Sequence, residues 1–169
     1  MKIRHHIFAV AASAILATGA YAADIKLGVS GPFTGGSSSM GVSMRDGVRL
    51  AAKEINAAGG INGNKIVLIE RDDEAKNERG VQISQEFINN EKVAATLGFI
   101  NTGVVLASSR FYQEAKIPVI TMASGTVITK QFPNAPENYI YRISAADSIQ
   151  APLIAKEAVE KRGFKKIND

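Results

Sequence analysis

The sequence predicts an α/β protein built on a doubly wound parallel sheet. Short apolar runs that suit β-strands alternate with longer stretches of helical periodicity along residues 23–169. Because each connection between successive strands is long enough for a helix or a long loop, parallel pairing with helices on both faces is favoured. The run VAATLGF at residues 93–99 is apolar at nearly every position, as expected of a strand that is buried on both sides.

The first two predicted strands enclose a long helix. Residues 25–29 (IKLGV) alternate in polarity, and residues 65–71 (KIVLIER) form the second strand. Between them, four apolar residues recur at helical spacing and so share one helix face: Met44, Val48, Ala51 and Ile55. The helix should stop at the glycines at 59–60, since glycine adopts the left-handed conformation that ends helices.

Two more helices flank the third strand. Residues 77–90 predict the second helix, and its common face consists of Gly80, Ser84, Phe87 and Ile88. Residues 103–115 predict the third helix, on which three residues are aligned: Val105, Ser109 and Tyr112. The fourth strand follows at residues 118–121.

The last part of the chain begins with a polar loop over residues 122–138. A short strand is predicted at 139–143, and Asp147 or Ser148 is expected to cap a final helix that holds Pro152 in its first turn and ends near Gly163. Residues 165–167 then predict the start of another strand. A strand of only three residues would be stabilised very little by pairing with its sheet. We therefore expect residues 23–169 to be an incomplete N-terminal lobe of a longer protein.

The first 22 residues have the three-part pattern of a secretory signal peptide. A basic start, MKIRHH, precedes the apolar run IFAVAASAIL, and Ala20 and Ala22 place small residues where signal peptidase requires them. The apolar run is too short to cross a bilayer as a stable helix. We expect cleavage after Ala22 and export to the periplasm.

Cleavage restricts the chemistry of the mature chain. Both histidines lie in the leader, and the chain has no cysteine or tryptophan, which disfavours a serine–histidine nucleophile and metal sites built on His or Cys. Lys2 and Arg4 leave with the leader, so 18 basic and 16 acidic residues remain, interspersed along the chain. We expect no enzymatic activity, no metal or other cofactor, and no nucleic-acid partner.

Three loops rich in small and hydroxyl residues follow the first, third and fourth strands. They read SGPFTGGSSSMG at 30–41, NTG at 101–103 and MASGT at 122–126. The carboxyl ends of parallel strands meet at one edge of a sheet, where ligands bind. Backbone N–H groups, hydroxyls and the start of the third helix would favour a carboxylate there. The first loop lacks the spacing of nucleotide-binding motifs.

A cation site is weakly supported. Asp72-Asp73-Glu74 is acidic, but the ligand spacing of a calcium loop is absent. We interpret this segment as the solvated end of a strand.

Several longer segments carry a family resemblance. They are IKLGVSGPFTGGSSSMG, GVRLAAKEINAAGGINGNKI, the pair Asp72-Asp73, LGFINTGVVLASSRFYQEAKIPVIT and YRISAADSIQAP. Together they resemble the N-terminal lobe of type I periplasmic binding proteins of the branched-chain amino acid group. The resemblance implies two α/β lobes, joined by a hinge, that close on a small ligand and deliver it to the membrane permease of an ABC transporter. It implies a protein about twice as long as this chain, and we expect it to be a monomer.

The resemblance also implies roles for individual residues. Thr102, followed by Gly103, stands where a Ser or Thr binds the ligand carboxylate in amino-acid-binding members. Met40 stands where an aromatic residue often packs on the ligand side chain.

The loop after the fourth strand carries the remaining implied contacts. Ala123 stands where a small residue's carbonyl accepts from the ligand ammonium group. Gly125 stands where a carboxylate-binding Thr is expected, with Ser124 and Thr126 on either side. This departure at Gly125 leaves three ligand classes open: a branched-chain amino acid, an amide or an aromatic acid.

The leading hypothesis is an exported solute-binding protein that captures a small carboxylate-bearing solute for an ABC transporter. One alternative is a ligand-sensing domain of a receptor, which shares this fold. Another is an exported hydrolase whose catalytic groups lie in the missing half.

Overall fold

A five-stranded parallel sheet forms the centre of the molecule. The structure, a computed structural model, describes residues 23–166, so the predicted leader and Ile167 lie outside the described residues. The strands are β1 (Ile25–Gly31), β2 (Ile66–Asp72), β3 (Ala95–Gly98), β4 (Val119–Thr121) and β5 (Ile140–Arg142). Their order is β2-β1-β3-β4-β5, and all neighbours are parallel. The predicted doubly wound α/β class is confirmed.

The helices lie close to their predicted positions. They are α1 (Ser38–Ala57), α2 (Asn77–Gln85), α3 (Thr102–Ala115) and α4 (Asp147–Lys156), with a short 3₁₀ turn at Ile128–Lys130. Helices α2 and α4 continue as π-helical turns at Glu86–Glu91 and Glu157–Lys161. The predicted end of α1 is confirmed, since Gly59 and Gly60 follow it with φ angles of 108° and 82°.

The sheet reverses its winding direction between β1 and β3. The chain first moves outward from β1 to β2 and then crosses back to β3 on the other side of β1. At this switch point Gly98 has φ 140°, and a Cβ there would overlap the carbonyl oxygen of Ser30. Only glycine therefore lets β3 end so close to β1. Doubly wound sheets bind ligands in the crevice beyond such a point.

Helices α2 and α3 cover one face of the sheet. Gly28 of β1 leaves room for Phe87, whose ring would lie 2.5 Å from a Cβ at that position. The larger buried cluster on this face consists of Phe99, Val104, Val105, Tyr112, Val119, Ala123, Ile128 and Ile140. Removing such side chains from water is the main favourable term in folding.

Helix α1 lies on the opposite face. Its four predicted core-facing residues line a groove against the sheet, together with strand residues such as Leu27, Leu68 and Leu97. The periodicity of the sequence therefore identified the correct face of α1.

The end of the chain differs from the prediction. Helix α4 begins at Asp147 after Ala146, and neither Asp147 nor Ser148 caps it with its side chain within the described chain. Instead the Ser148 N–H donates to Thr126 Oγ1 at 3.2 Å. Pro152 is the sixth helical residue and so lies in the second turn, and residues 165–166 are not in a strand. The local sequence could not predict that the hydroxyl of Thr126, 22 residues away, accepts from a backbone N–H in the first turn of this helix.

None of the helices in residues 23–166 combines the length and apolar character needed to cross a bilayer.

Candidate functional site

The carboxyl edge of the sheet brings together the loops that follow β1, β3 and β4. Gly125 lies against Thr102, so that a Cβ on Gly125 would be 2.8 Å from Thr102 Oγ1 and closer still to its Cγ2. Met40, at the start of α1, lines one groove together with Ile100 and Met122. The three loops predicted to share one edge therefore meet at the switch point.

Thr102 is the first residue of α3. Thr102 is half-buried and Gly103 is exposed. Asn101 precedes them in an extended conformation, and its side chain makes no capping hydrogen bond within residues 23–166. The first backbone N–H groups of α3 therefore lack a side-chain cap there, and the helix dipole favours an anion at this end.

Each residue of the loop 123–126 is hydrogen-bonded to the segment that runs from β5 into α4. The bonds are Ser144 Oγ to the Ala123 carbonyl (2.9 Å), the Asp147 N–H to the Ser124 carbonyl (3.0 Å), Arg142 Nη1 to the Gly125 carbonyl (3.0 Å) and the Ser148 N–H to Thr126 Oγ1 (3.2 Å). Residues 142–148 therefore restrain the loop through one hydrogen bond at each of its four residues.

The sequence did not identify Arg142 and Ser144 as part of the site. The one available signal was a basic residue at the predicted carboxyl end of β5, because that end lies at the edge of the sheet where the sequence predicts the ligand loops. Both donate hydrogen bonds to residues that are distant in sequence: Arg142 bonds to Gly125, 17 positions away, and Ser144 bonds to Ala123, 21 positions away. Such pairs follow from the strand order rather than from a local motif.

Two predicted ligand contacts have protein partners in this structure. The Ala123 carbonyl, predicted to accept from a ligand ammonium group, accepts the Ser144 hydroxyl. The Thr126 hydroxyl accepts from the first turn of α4. Their ligand roles, like those of Ser124 and Gly125, stay predictions.

A groove of about 440 Å³, lined by both apolar and hydroxyl side chains, lies beside this polar loop. It is lined by Ser39, Met40, Ser43, Met44, Ile100 and Met122. Met40 itself is 56% exposed. The sequence predicted Met40 here but not Met44 and Met122, which were assigned to a helix face and to a loop. We call the set Met40, Met44, Ile100 and Met122 the methionine groove.

Asp72 organises the loop that follows β1. Its Oδ1 accepts the N–H groups of Phe33 (2.8 Å) and Glu74 (2.9 Å), and its Oδ2 accepts the Thr34 hydroxyl (2.6 Å). Partial burial acts to raise the pKa of Asp72, but the bonds from Thr34, Glu74 and Phe33 outweigh it and hold this pKa below its usual value.

Asp73 corrects our interpretation of the acidic segment as solvated. Its side chain is fully buried and accepts the Ala75 N–H at 2.9 Å, with Ser30 Oγ at 3.4 Å. Burial raises the pKa of Asp73 above its usual value, although the Ala75 N–H opposes the shift. Across residues 23–166, no cluster of three or more metal-ligating side chains is present.

The structure is a partial α/β lobe of the doubly wound type, with three loops that meet at the switch point of the sheet. Residues 24–168 match the family model described as "Periplasmic binding protein". The chain belongs to this family, and its resemblance to the type I, branched-chain amino acid group is confirmed.

Two curated relatives illustrate the match. An "Amino acid binding protein" of Pseudomonas aeruginosa is 37% identical over 122 residues, which cover 72% of this chain and 33% of the relative. The "Leu/Ile/Val-binding protein homolog 2" of Brucella abortus is 36% identical over 104 residues, covering 62% of this chain and 27% of the relative.

Solved structures agree on the fold. The branched-chain amino acid transporter substrate binding protein LivJ of Streptococcus pneumoniae, in complex with isoleucine, superposes with a TM-score of 0.75 at 27% identity, covering 82% of this chain and 38% of LivJ. A solute binding protein of an ABC transporter from Rhodopseudomonas palustris, in complex with 3,4-dihydroxybenzoic acid, gives 0.71 at 33% identity, covering 85% of this chain and 37% of that protein. The chain therefore spans well under half of the length of its relatives.

Proposed function

We propose that residues 23–169 form the first lobe of an exported solute-binding protein that captures a small carboxylate-bearing solute for an ABC transporter. The observation that carries this proposal is the close packing of Gly125 on Thr102 at the start of α3, where residues 23–166 supply no side-chain cap from Asn101. This packing puts a hydroxyl, a set of backbone N–H groups and a supported loop at the switch point of the sheet, where this fold class binds ligands.

The proposed mechanism is binding without chemistry. The ligand carboxylate accepts from the Thr102 hydroxyl and from N–H groups around Gly103, where the dipole of α3 favours negative charge. Ala123 to Thr126 hold the polar group next to the carboxylate. Met40 packs on the apolar part of the ligand.

The remainder of the proposal concerns the whole protein. Signal peptidase cleaves after Ala22, and the mature protein, a monomer, resides in the periplasm. A second lobe closes over the ligand, and the closed form delivers it to the membrane permease of the transporter. The ligands named for the relatives, isoleucine and 3,4-dihydroxybenzoic acid, both join a carboxylate to an apolar body, which supports this ligand class.

The test is isothermal titration calorimetry of the full-length mature protein against branched-chain amino acids, their amides and aromatic acids. We expect saturable binding of at least one carboxylate. Thr102→Val should weaken it by about tenfold or more, since a hydrogen bond to a charged group is lost, whereas Thr102→Ser should bind nearly as well as the unsubstituted protein. Absence of binding across the panel, or equal affinities of the two variants, would contradict the proposal.

A further inference from the structure

We propose that Asn62 is a site of spontaneous covalent modification, at which the backbone nitrogen of Gly63 acts as nucleophile and the asparagine becomes aspartate or isoaspartate. This modification is independent of ligand binding. Three features carry it: the chemistry of an Asn-Gly pair, the exposed turn that holds the pair, and the absence of hydrogen bonds on the two reacting groups within residues 23–166. Asn62-Gly63 is the one Asn-Gly pair in the sequence.

The pair occupies the centre of a two-residue hairpin turn between α1 and β2. The Ile61 N–H donates to the Asn64 carbonyl at 2.8 Å, and the Asn64 N–H donates to the Ile61 carbonyl at 3.0 Å. Asn62 and Gly63 have φ angles of 51° and 83°, and positive values at both central residues are typical of a type I′ turn. Asn-Gly is a pair that this turn prefers, so the fold itself places the reactive pair here.

Asn62 and Gly63 project into solvent. Both residues are exposed, and a Cβ on Gly63 would meet no atom within 4 Å. Within residues 23–166, no hydrogen bond holds the side-chain amide of Asn62 or the N–H of Gly63. Ile61, which precedes the pair, is 45% exposed. A turn with so few buried contacts opens locally at a small cost in free energy.

The reaction has two steps and needs only water. In the first step the Gly63 nitrogen loses its proton and bonds to Cγ of Asn62, while the side-chain nitrogen leaves with that proton as ammonia, and a succinimide ring results. In the second step water opens the ring. Cleavage between the Gly63 nitrogen and Cγ gives aspartate, and cleavage between that nitrogen and the main-chain carbonyl carbon gives isoaspartate. Gly63 favours the first step because it has no Cβ to hinder the approach of its nitrogen.

The turn has to open before the ring can close. In the left-handed conformation ψ is positive as well as φ, which puts the next backbone nitrogen on the side of Cα away from Cβ. Attack on Cγ therefore requires a rotation about ψ of Asn62, and this rotation breaks the two hydrogen bonds between Ile61 and Asn64. The reaction should consequently be slower in the folded protein than in the unfolded chain.

Two other asparagines each lack part of this arrangement. Asn56 is clamped, since its Oδ1 accepts the Ile66 N–H at 2.7 Å and its Nδ2 donates to the Ile66 carbonyl at 2.8 Å. Asn134 is exposed in a loop, but the next residue is Ala135, whose Cβ hinders attack and whose N–H donates to the Phe132 carbonyl at 3.2 Å. Asn134 is therefore the internal reference for an exposed asparagine without a following glycine.

The two products should differ in their effect on the fold. Aspartate leaves the main chain unchanged and tolerates the left-handed conformation, so it keeps the turn. Isoaspartate carries the main chain through its side-chain carbon, which lengthens the turn and disrupts the pairing of Ile61 with Asn64. Because the turn lies where β2 begins, at the edge of the sheet opposite to the three loops of the candidate site, stability is the property that the modification should change.

The experiment is incubation of the full-length mature protein at mildly alkaline pH, folded and in urea, followed by peptide mapping with mass spectrometry. We expect the Asn62 peptide of the folded protein to gain about one mass unit and to separate into two products, severalfold faster than the Asn134 peptide. Conversion should be faster still in urea. Asn62→Gly is the control, because Gly-Gly also suits a type I′ turn and carries no amide. Conversion of Asn62 in the folded protein no faster than that of Asn134 would overturn the proposal, and equal rates with and without urea would overturn the requirement for opening.

A second measurement tests the effect on the fold. The isoaspartate form is separated from the fresh protein by chromatography, and both are unfolded in urea. We expect a lower unfolding midpoint for the isoaspartate form, whereas Asn62→Gly should keep its midpoint after the same incubation. Equal midpoints of the isoaspartate form and the fresh protein would overturn the predicted loss of the turn.

Discussion

Gly125 packs directly on Thr102, and this contact joins the loops that follow β3 and β4 at the carboxyl edge of the sheet. A Cβ at position 125 would lie 2.8 Å from the Thr102 hydroxyl oxygen. The glycine therefore lets the Thr102 side chain occupy the space beside the loop. Backbone strain plays no part, since the φ of Gly125 is not among the positive values.

Gly125→Ala should displace the Thr102 side chain and weaken carboxylate binding. We expect a loss of about tenfold, equivalent to about 1.4 kcal/mol of binding free energy. Gly36→Ala is the matched control, because a Cβ there meets no atom within 4 Å and its φ is not positive. Calorimetry with the best ligand checks both, and unchanged affinity in Gly125→Ala would contradict the steric argument.

Arg142 should act as a positioning residue for the loop. Its Nη1 donates to the Gly125 carbonyl, so Arg142→Met removes one of the two donors that hold Gly125 in place. We expect ligand affinity to fall by about tenfold in this variant, and Arg142→Lys to recover part of the loss, since an ammonium group can also donate to the carbonyl. Equal loss in both variants would instead indicate that only the guanidinium geometry, or direct contact with the ligand, matters.

Ser144→Ala should change ligand selectivity rather than overall binding. Removing the hydroxyl takes away the donor of the Ala123 carbonyl, so that both of its lone pairs can accept from a ligand. The affinity of leucine relative to 4-methylpentanoate should therefore rise, by about the strength of one hydrogen bond, or severalfold. Ser144→Thr keeps the donor and should leave the ratio unchanged. An unchanged ratio in Ser144→Ala would show that the bond from Ser144 does not affect how the Ala123 carbonyl contacts a ligand.

The sequence predicted the sheet, its alternation and the three ligand loops because these features follow local periodicity. Met44, Val48, Ala51 and Ile55 recur at helical spacing and do lie on one face of α1. The contacts that complete the site join residues distant in the chain, and no local pattern encodes them. Arg142 and Gly125, for example, are brought together only by the pairing of β4 with β5.

The π-helical turn at the end of α2 was missed for a related reason. Phe87 and Ile88 fit the helical spacing, so a continuous helix was predicted over residues 77–90. The structure widens the helix at Glu86–Glu91, and Phe87 still becomes fully buried against Gly28. The ring of Phe87 packs in the space beside Gly28. The spacing of apolar residues does not distinguish a π-helical turn from an α-helix, so it could not predict this change of helix geometry.

Asp73 should lower the stability of the folded protein as the pH rises, whereas an ordinary paired carboxylate raises it. Its pKa is raised by burial above the usual 3.8. The protonated form is favoured in the folded state, so its contribution to stability is fully present below the unfolded pKa and is lost as the pH rises through the folded pKa. Arg79 and Asp72 are the charged neighbours, and they act in opposite directions.

Asp73→Asn should therefore stabilise the protein at neutral pH relative to the unsubstituted form. The amide oxygen can still accept from the Ala75 N–H, and no charge is buried. The difference in unfolding free energy should grow as the pH rises from the unfolded pKa of Asp73 to its higher folded pKa, with a slope of at most about 1.4 kcal/mol per pH unit because one proton is involved, and should then stay constant. Urea unfolding at several pH values measures this, and a difference that shrinks as the pH rises would contradict the sign.

Thr96 Oγ1 donates a hydrogen bond to the hydroxyl oxygen of Tyr112 at 3.2 Å inside the sheet–helix interface, where both side chains are fully buried. Burial raises the pKa of Tyr112 to about 12, against the bonds from Ser84 and Thr96, so the phenol stays protonated at neutral pH. Tyr112→Phe leaves the Thr96 hydroxyl without this partner and should cost about 1–3 kcal/mol of unfolding free energy. Thr96→Val, which keeps the shape, should cost a similar amount. The double variant should lose less than the two single variants together, because both polar groups are then gone. Urea denaturation of the four proteins measures the coupling, and strictly additive losses would show that the 3.2 Å contact contributes nothing to stability.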